Sequence, residues 1–293
     1  MSVLEAMEQA GGFATRSALV AATSRQAVDS ALAAGLIVAD GRGRYATPAT
    51  DAAVRAAHAL SGVLTLTSAA LHHGWEVLRV PELPHVAVAR HRKVAPERRA
   101  GIVLHYADLD PADIEDGIVT GKETTLSHCM SQLPRPDALA VADSALRHGE
   151  TPATLRRAAL SVRGPGAPQA RWVADHATGE AANPFESGLR EIALDVPGLH
   201  VEVQVTLLVP GQRARPDLVD ERLEIAIEAD SFEWHGGRAD LTKDARRYNL
   251  LVVDGWLVLR FAWEDVMFDR DYVRRVLVAA VALRSRRCRC GVA

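Results

Sequence analysis

The chain has 293 residues, 48% of them hydrophobic and 24% charged, a composition that supports buried cores and excludes a disordered or collagen-like chain. Its length suits two or three domains, and a formal charge of −3 carries no global signature of a nucleic-acid binder. That average is uneven: residues 1–178 balance 18 basic against 18 acidic side chains, residues 179–283 carry 12 against 19, and the last ten carry 4 against none.

Residues 3–10 read as a short amphipathic helix closed by Gly11-Gly12. Thr15 then caps a helix over residues 16–22, and Ser24 caps another over 25–34 that Gly35 ends. Two helices joined by a three-residue turn make a helix-turn-helix pattern. LIVADGRGRYAT follows, two short alternating runs about Gly41-Arg42-Gly43 that signal a hairpin. Helix, helix, helix and ribbon is the order of a winged helix, assigned to residues 1–48. Its third helix would present Arg25, Gln26, Asp29 and Ser30 to a major groove while Val28 and Leu32 turn inward. Arg42 and Arg44 would sit on the wing beside phosphates. The net charge of zero over residues 1–48 keeps a protein-binding winged helix as the alternative.

Residues 49–160 mix helix and strand. Ser68 can cap a helix over AALHHGW, residues 85–89 and 102–106 read as strands, and helices begin near Thr124 and Asp137. Residues 84–104 hold Arg90, Arg92, Lys93, Arg98 and Arg99 against Glu97 alone. The histidines in this region lack the repeated spacing of metal ligands. SVRGPGAPQA, with two prolines and two glycines, predicts a linker over 161–178. The ordered segments LTLTSAALHHGW, HVAVARHRK, VLHYADL and TTLSHCMSQL, behind the winged-helix pattern, resemble the AbiEi-type antitoxin family of bacterial type IV toxin-antitoxin systems. The resemblance spans roughly residues 2–160 and implies a promoter-reading N-terminal module and a toxin protein as partner.

The C-terminal part carries the chemistry. Asn183-Pro184 opens a helix, NPFESGLREIALD, and VEVQVTLLV, ARPDLV and LEIAIEAD read as strands. A helix, ADLTKDARRYNLLVVDG, the strand WLVLRF and a closing helix complete an α/β sandwich with a mixed sheet. In LEIAIEAD, period two puts Glu228 and Asp230 on one face, about 6.6 Å apart along the strand. Asp217 lies on the preceding strand. Carboxylates converging at a sheet end suit a hard divalent cation, which would polarise a phosphodiester and lower the pKa of a bound water. His235 would act as base or hold that water. The same pattern also fits strand acids on a solvent face, but Glu228 and Asp230 extend an apolar run, where acids are costly unless ligating or paired.

Glu186 in the opening helix, RPDLV, IAIEADSFEWHG, DARRYNLL and GWLVLRF together resemble the Vsr-like domain of unknown function in the PD-(D/E)XK nuclease superfamily, over roughly residues 180–284. The resemblance implies a restriction-endonuclease-like fold and Mg²⁺-dependent (or Mn²⁺-dependent) DNA cleavage. It makes Asp217 the motif aspartate, Glu228 the motif acid and Glu186 the supporting acid of the first helix. Asp230 stands where the superfamily name expects lysine, so His235 would serve the water, or Lys243 would reach in from the following helix. Asp244 and Arg246 match the helix pattern, and Arg238, Arg246 and Arg247 would hold phosphates.

The expected organisation is α/β and multi-domain: a winged helix over 1–48, an antitoxin-like α/β region over 49–160, a linker over 161–178, a nuclease-like domain over 179–285 and a basic tail over 286–293. The leading expectation is a DNA-binding protein with a metal-dependent endonuclease domain, Asp217, Glu228 and Asp230 being the metal ligands. The competing one is a non-enzymatic antitoxin-type regulator that keeps the nuclease-like fold as a scaffold. Three cysteines form no even framework, Cys288 and Cys290 lack the second ligand pair of a zinc site, and no apolar run suits a membrane span, so a cytoplasmic protein is expected.

Overall fold

A computed structural model of the chain describes residues 1–209, 211–230 and 238–290. It is a mixed α/β, multi-domain structure with two compact units, Met1–Gly74 with Arg79–Cys129, and Trp75–Leu78 with Met130–Ala293. The main division along the chain falls at 129/130, with the short segment Trp75–Leu78 belonging to the second unit.

In the first unit, α1 (Val3–Gln9) opens on a capping box: Ser2 Oγ accepts from the Glu5 amide, and the Glu5 carboxylate accepts from the Ser2 amide. β1 (Phe13–Thr15) leads into α2 (Arg16–Ala22) and α3 (Arg25–Ala33), capped by Thr15 and Ser24 as their hydroxyls predict. β2 (Val38–Gly41) and β3 (Arg44–Ala46) complete an antiparallel sheet of order β1-β3-β2. Val3, Met7, Leu19, Val28, Ile37 and Tyr45 fill its core. β1 is three residues long, too short to show alternation in the sequence.

Asp51 caps α4 (Ala52–Leu60), its Oδ1 accepting from the Ala53 and Val54 amides. Phe13 of β1 packs against the cluster that includes Val54, Ala57 and Leu60 of α4, and its ring lies 5.1 Å from that of His58. This shared packing puts the N-terminal helices and the following strands in one unit. β4 (Val63–Leu64) is followed by α5 (Leu66–His72), whose N-cap is Thr65 and not the expected Ser68. Ser68 lies inside the helix because its hydroxyl serves the neighbouring strand, accepting from the His85 amide at 2.9 Å. β5 (His85–Ala89), β6 (Val103–Ala107), β7 (Ile114–Glu115) and β8 (Val119–Thr120) then form a mixed sheet of order β6-β5-β4-β8-β7. α6 (Lys122–Gln132) runs across the boundary between the units.

In the second unit, α7 (Arg135–Arg147) is buried on all sides from Asp137 to Ala145. α8 (Pro152–Ser161) and α9 (Ala167–His176) pack beside one another, and α9 also packs on α7. The expected linker over 161–178 is thus mostly helix. Ala167, Ala170 and Val173, three residues apart, give it a buried stripe, and Pro168 suits its first turn.

The C-terminal sheet follows α10 (Pro184–Leu194) and combines β9 (Glu202–Val203), β12 (Leu218–Asp220), β13 (Ile225–Asp230) and β14 (Leu257–Ala262) in the order β14-β13-β12-β9. β13 and β14 are parallel and the other pairs antiparallel. The expected strand VEVQVTLLV is broken after β9. β10 (Leu207–Val209) pairs instead with β11 (Gln212–Ala214) as a separate ribbon.

α11 (Arg238–Val253) joins β13 to β14, and α12 (Trp263–Phe268) and α13 (Arg270–Cys290) close the chain. One sheet face, with Ile225, Ile227 and Phe261, packs on Leu189 and Ile192 of α10 and Val273 and Leu277 of α13. The other, with Val219 and Val258, meets Leu251 of α11 and the β10–β11 ribbon. Among the described residues no helix is long and apolar enough to cross a membrane.

Candidate active site

The site grows from the start of α10. The Asn183 Oδ1 accepts from the Glu186 amide at 3.0 Å, the cap its sequence predicts. This turns the Glu186 carboxylate back over the helix end, where Oε1 accepts from Asn183 Nδ2 at 2.8 Å and Oε2 from the Ala182 amide at 2.9 Å. Glu186 is only 5% exposed.

Asp217 stands immediately before β12. Leu218 pairs with Ile227, so Asp217 enters the sheet level with Glu228. Its Oδ2 accepts from the Ala229 amide at 2.8 Å, and its Oδ1 accepts from Gln204 Nε2 at 3.2 Å. The same Gln204 amide nitrogen donates to Glu186 Oε2 at 3.0 Å. One side-chain amide therefore ties the carboxylates of α10 and β12 together. Gln204 has φ +56°, a left-handed conformation that costs a non-glycine residue energy and that clusters at functional sites. Its own amide is anchored on the Asp217 carbonyl at 2.9 Å.

Along β13, Ile225, Ile227 and Ala229 face the α10 side, and period two turns Glu228 and Asp230 the other way. Glu228 is buried beneath α11, with Arg247 Nη2 3.4 Å from its Oε1. Its carboxyl also lies within hydrogen-bond reach of Asp217. Asp230 does not join them: it accepts from Arg260 Nη2 at 2.5 Å across the parallel β13–β14 pair. The Arg260 guanidinium also lies over the Tyr248 ring, 4.3 Å from its centroid.

Burial lifts the Glu186 carboxyl to about 7, with the nearby Asp217 charge adding to the rise and the Ala182 and Gln204 bonds opposing it. Burial likewise raises Asp217, against the pull of the Ala229 amide, Arg247 and Gln204. Two acids with raised pKa values and different hydrogen-bond environments are the raw material of acid–base chemistry.

The structure therefore brings Glu186, Asp217 and Glu228 together and gives Asp230 to Arg260. Among the described residues no group of three or more His, Cys, Asp or Glu side chains is arranged to hold a metal ion. The donor chemistry of Asp217 and Glu228, hard carboxylate oxygens at the end of a sheet, nonetheless fits a Mg²⁺-type ion. His235 lies outside the described residues, as do the side chains of Arg238, Lys243 and Asp244. Arg246 is exposed on α11, whereas Arg247 is turned onto Glu228 and donates to the Tyr248 hydroxyl at 2.9 Å. Gln204 and Arg260 escaped the sequence reading because both reach the site through pairing between distant strands. In the first unit, Arg25, Gln26 and Ser30 are exposed on α3, Val28 is fully buried and Leu32 partly so. Arg42 sits in the β2–β3 turn and Arg44 opens β3.

No protein-family model matches the chain. Two curated relatives from Mycobacterium tuberculosis match, uncharacterized protein MT2308 of strain CDC 1551 / Oshkosh and uncharacterized protein Rv2248 of strain ATCC 25618 / H37Rv. Each is 30% identical over 155 residues, covering 51% of this chain and 56% of the relative. The chain thus spans about half the length of the curated relatives it matches. Among solved structures, that of RV2827C protein from Mycobacterium tuberculosis aligns with 71% of this chain and 87% of its own, at 17% identity and a TM-score of 0.38.

Proposed function

We propose that this is a cytoplasmic DNA-binding protein in which residues 179–285 form a restriction-endonuclease-like α/β sandwich that hydrolyses DNA phosphodiester bonds with Mg²⁺ or Mn²⁺. The observation that supports the reading is the meeting of three acids, buried Glu186 and Glu228 with half-buried Asp217 between them, the Gln204 amide joining Glu186 to Asp217. Buried acids are expensive, and three in one place concentrate negative oxygen for a cationic partner.

Asp217 and Glu228 would hold the ion, with Asp230 available once it leaves Arg260. The bound ion supplies polarisation of the phosphodiester and a lowered pKa of a bound water. Glu186, with its carboxyl at about 7, holds or releases a proton near neutral pH. His235 and Lys243 keep the water-directed roles that the sequence suggests, and Arg246, with Arg238, meets DNA phosphates. In the first unit, α3 and the β2–β3 ribbon act as a winged helix, presenting Arg25, Gln26 and Ser30 to the major groove and Arg42 to the backbone.

A second reading, an antitoxin-type regulator with a toxin protein as partner and a degenerate nuclease fold, is favoured by the Arg247–Glu228 and Arg260–Asp230 ion pairs. They set guanidinium charge where a cation's charge is needed. Titration with Mn²⁺, followed by loss of the free-ion electron paramagnetic resonance signal, separates the two. The nuclease reading predicts binding that Asp217→Ala and Glu228→Ala each weaken at least tenfold. Absence of Mn²⁺ binding in the wild-type chain would favour the scaffold.

A further inference from the structure

The arginines of residues 84–104 were left without a role by the sequence, and the fold brings two of them to the base of the β2–β3 ribbon. Tyr45 belongs to the core beneath α1–α3, so strand alternation turns its neighbour Arg44 to the opposite face, over α4. Gly41, the register partner of Arg44, lies so close to α4 that a Cβ there would sit 3.1 Å from the Ala59 carbonyl oxygen. Arg98 Nη2 donates to that same Ala59 oxygen at 2.5 Å, and Arg92 Nη1 donates to the Ser61 oxygen at 3.0 Å. A cleft of about 460 Å³ opens beside them, lined by Arg42, Arg98, Asp40 and Glu97 among others.

Arg92 and Arg98 have a purely structural explanation, since cations suit the C-terminal end of a helix. Magnitude decides against it as the whole account. A helix end carries about half a negative charge, which cannot offset three full guanidinium charges. Asp40 is engaged by Arg55 at 2.7 Å. Among the described residues no carboxylate is ion-paired with Arg44, Arg92 or Arg98. Burial, and then the like charges of Arg92 and Arg98, push the Arg44 guanidinium below its ordinary value. Like charges gathered with no carboxylate ion-paired to them among the described residues describe a site that waits for an anion, and arginine's planar fork matches phosphate.

We propose that Arg44, Arg92 and Arg98 form a phosphate-backbone contact that carries the DNA-binding surface from the ribbon onto the end of α4 and the loop after β5. The inference rests on the DNA-binding part of the function proposed above. Its ligand is the sugar–phosphate backbone of duplex DNA, read without regard to sequence.

The test is fluorescence anisotropy of the full chain with a fluorescein-labelled mixed-sequence duplex across a KCl series. Each arginine lost should make the plot of log Kobs against log salt shallower by about 0.9, so Arg44→Gln loses about 0.9 and the Arg92→Gln, Arg98→Gln pair about 1.8. Arg92→Lys and Arg98→Lys should keep the slope. Arg44→Gln should also raise the melting temperature of the DNA-free chain, because it relieves repulsion that only a bound anion otherwise relieves; a structural arginine would lower it. If the Arg92 and Arg98 variants unfold, Arg44→Gln alone decides. Unchanged slopes, with binding weakened by Arg25→Ala and Gln26→Ala, would overturn this extension and leave the winged-helix reading standing. A wild-type chain that does not bind the duplex would overturn both.

Discussion

At the scale of single residues, Glu186 carries the sharpest consequence. A carboxyl raised from 4.5 to about 7 on folding binds a proton in the folded state that the unfolded chain has released over that pH window. Stability contributed by this group therefore falls as pH rises from about 4.5 to 7, the reverse of a salt-bridged acid. Glu186→Gln keeps the shape and removes the charge. It should be nearly neutral at pH 5 and stabilising by up to about 3 kcal/mol at pH 8, read by urea denaturation at the two pH values. An equal effect at both pH values would show that Glu186 is not held protonated by its surroundings. Glu228 was legible in the sequence because period two in a strand needs no partner to be seen, and Asp217 because it stands in the RPDLV segment just ahead. Gln204 was not, since its role depends on meeting Asp217 across the β9–β12 pair, with the β10–β11 ribbon intervening. The ion pair made by Asp230 was hidden for the same reason. Its partner Arg260 lies on β14, a whole helix further along the chain.

Among elements, α10 positions the site, and its buried charges hold it in place. Arg190 Nη2 donates to both carboxylate oxygens of Asp143 of α7 at 2.8 Å, and Nη1 donates to the His176 carbonyl at 2.7 Å. Glu191, one residue on, pairs with Arg135 and Arg270. Arg190→Ala strands a fully buried Asp143, and removing one partner of such a pair costs about 3–5 kcal/mol, measurable as a lowered urea midpoint. A midpoint within error of wild type would mean that α10 is held by its apolar face alone. The caps of α2, α3 and α10 were readable because Thr15, Ser24 and Asn183 act within three residues of themselves. α9 was hidden by the composition of SVRGPGAPQA. Gly166 is there for space as much as flexibility, since a Cβ would meet the Ser131 carbonyl oxygen at 2.6 Å. Gly166→Ala should lower stability by about 1–3 kcal/mol, whereas a linker glycine would tolerate the change.

For the whole molecule, the division of charge is the guide. The −3 of the chain disperses into a balanced N-terminal part, a strongly acidic stretch that contains the site, and a basic end. An acidic surround disfavours DNA unless a cation intervenes, so the proposed function would leave DNA targeting to the first unit. Deleting residues 1–48 should weaken duplex binding and flatten its salt dependence. Unchanged binding would move the DNA contact to the second unit. The central claim, that the site of Glu186, Asp217 and Glu228 cuts DNA, is tested most directly by the nicking of supercoiled plasmid. Purified chain with Mg²⁺ or Mn²⁺ should convert supercoiled DNA to open-circular or linear forms, with chelator, Asp217→Ala and Glu228→Ala each abolishing the conversion. Plasmid that stays supercoiled under the same conditions, with the wild-type chain bound to it, would contradict the claim.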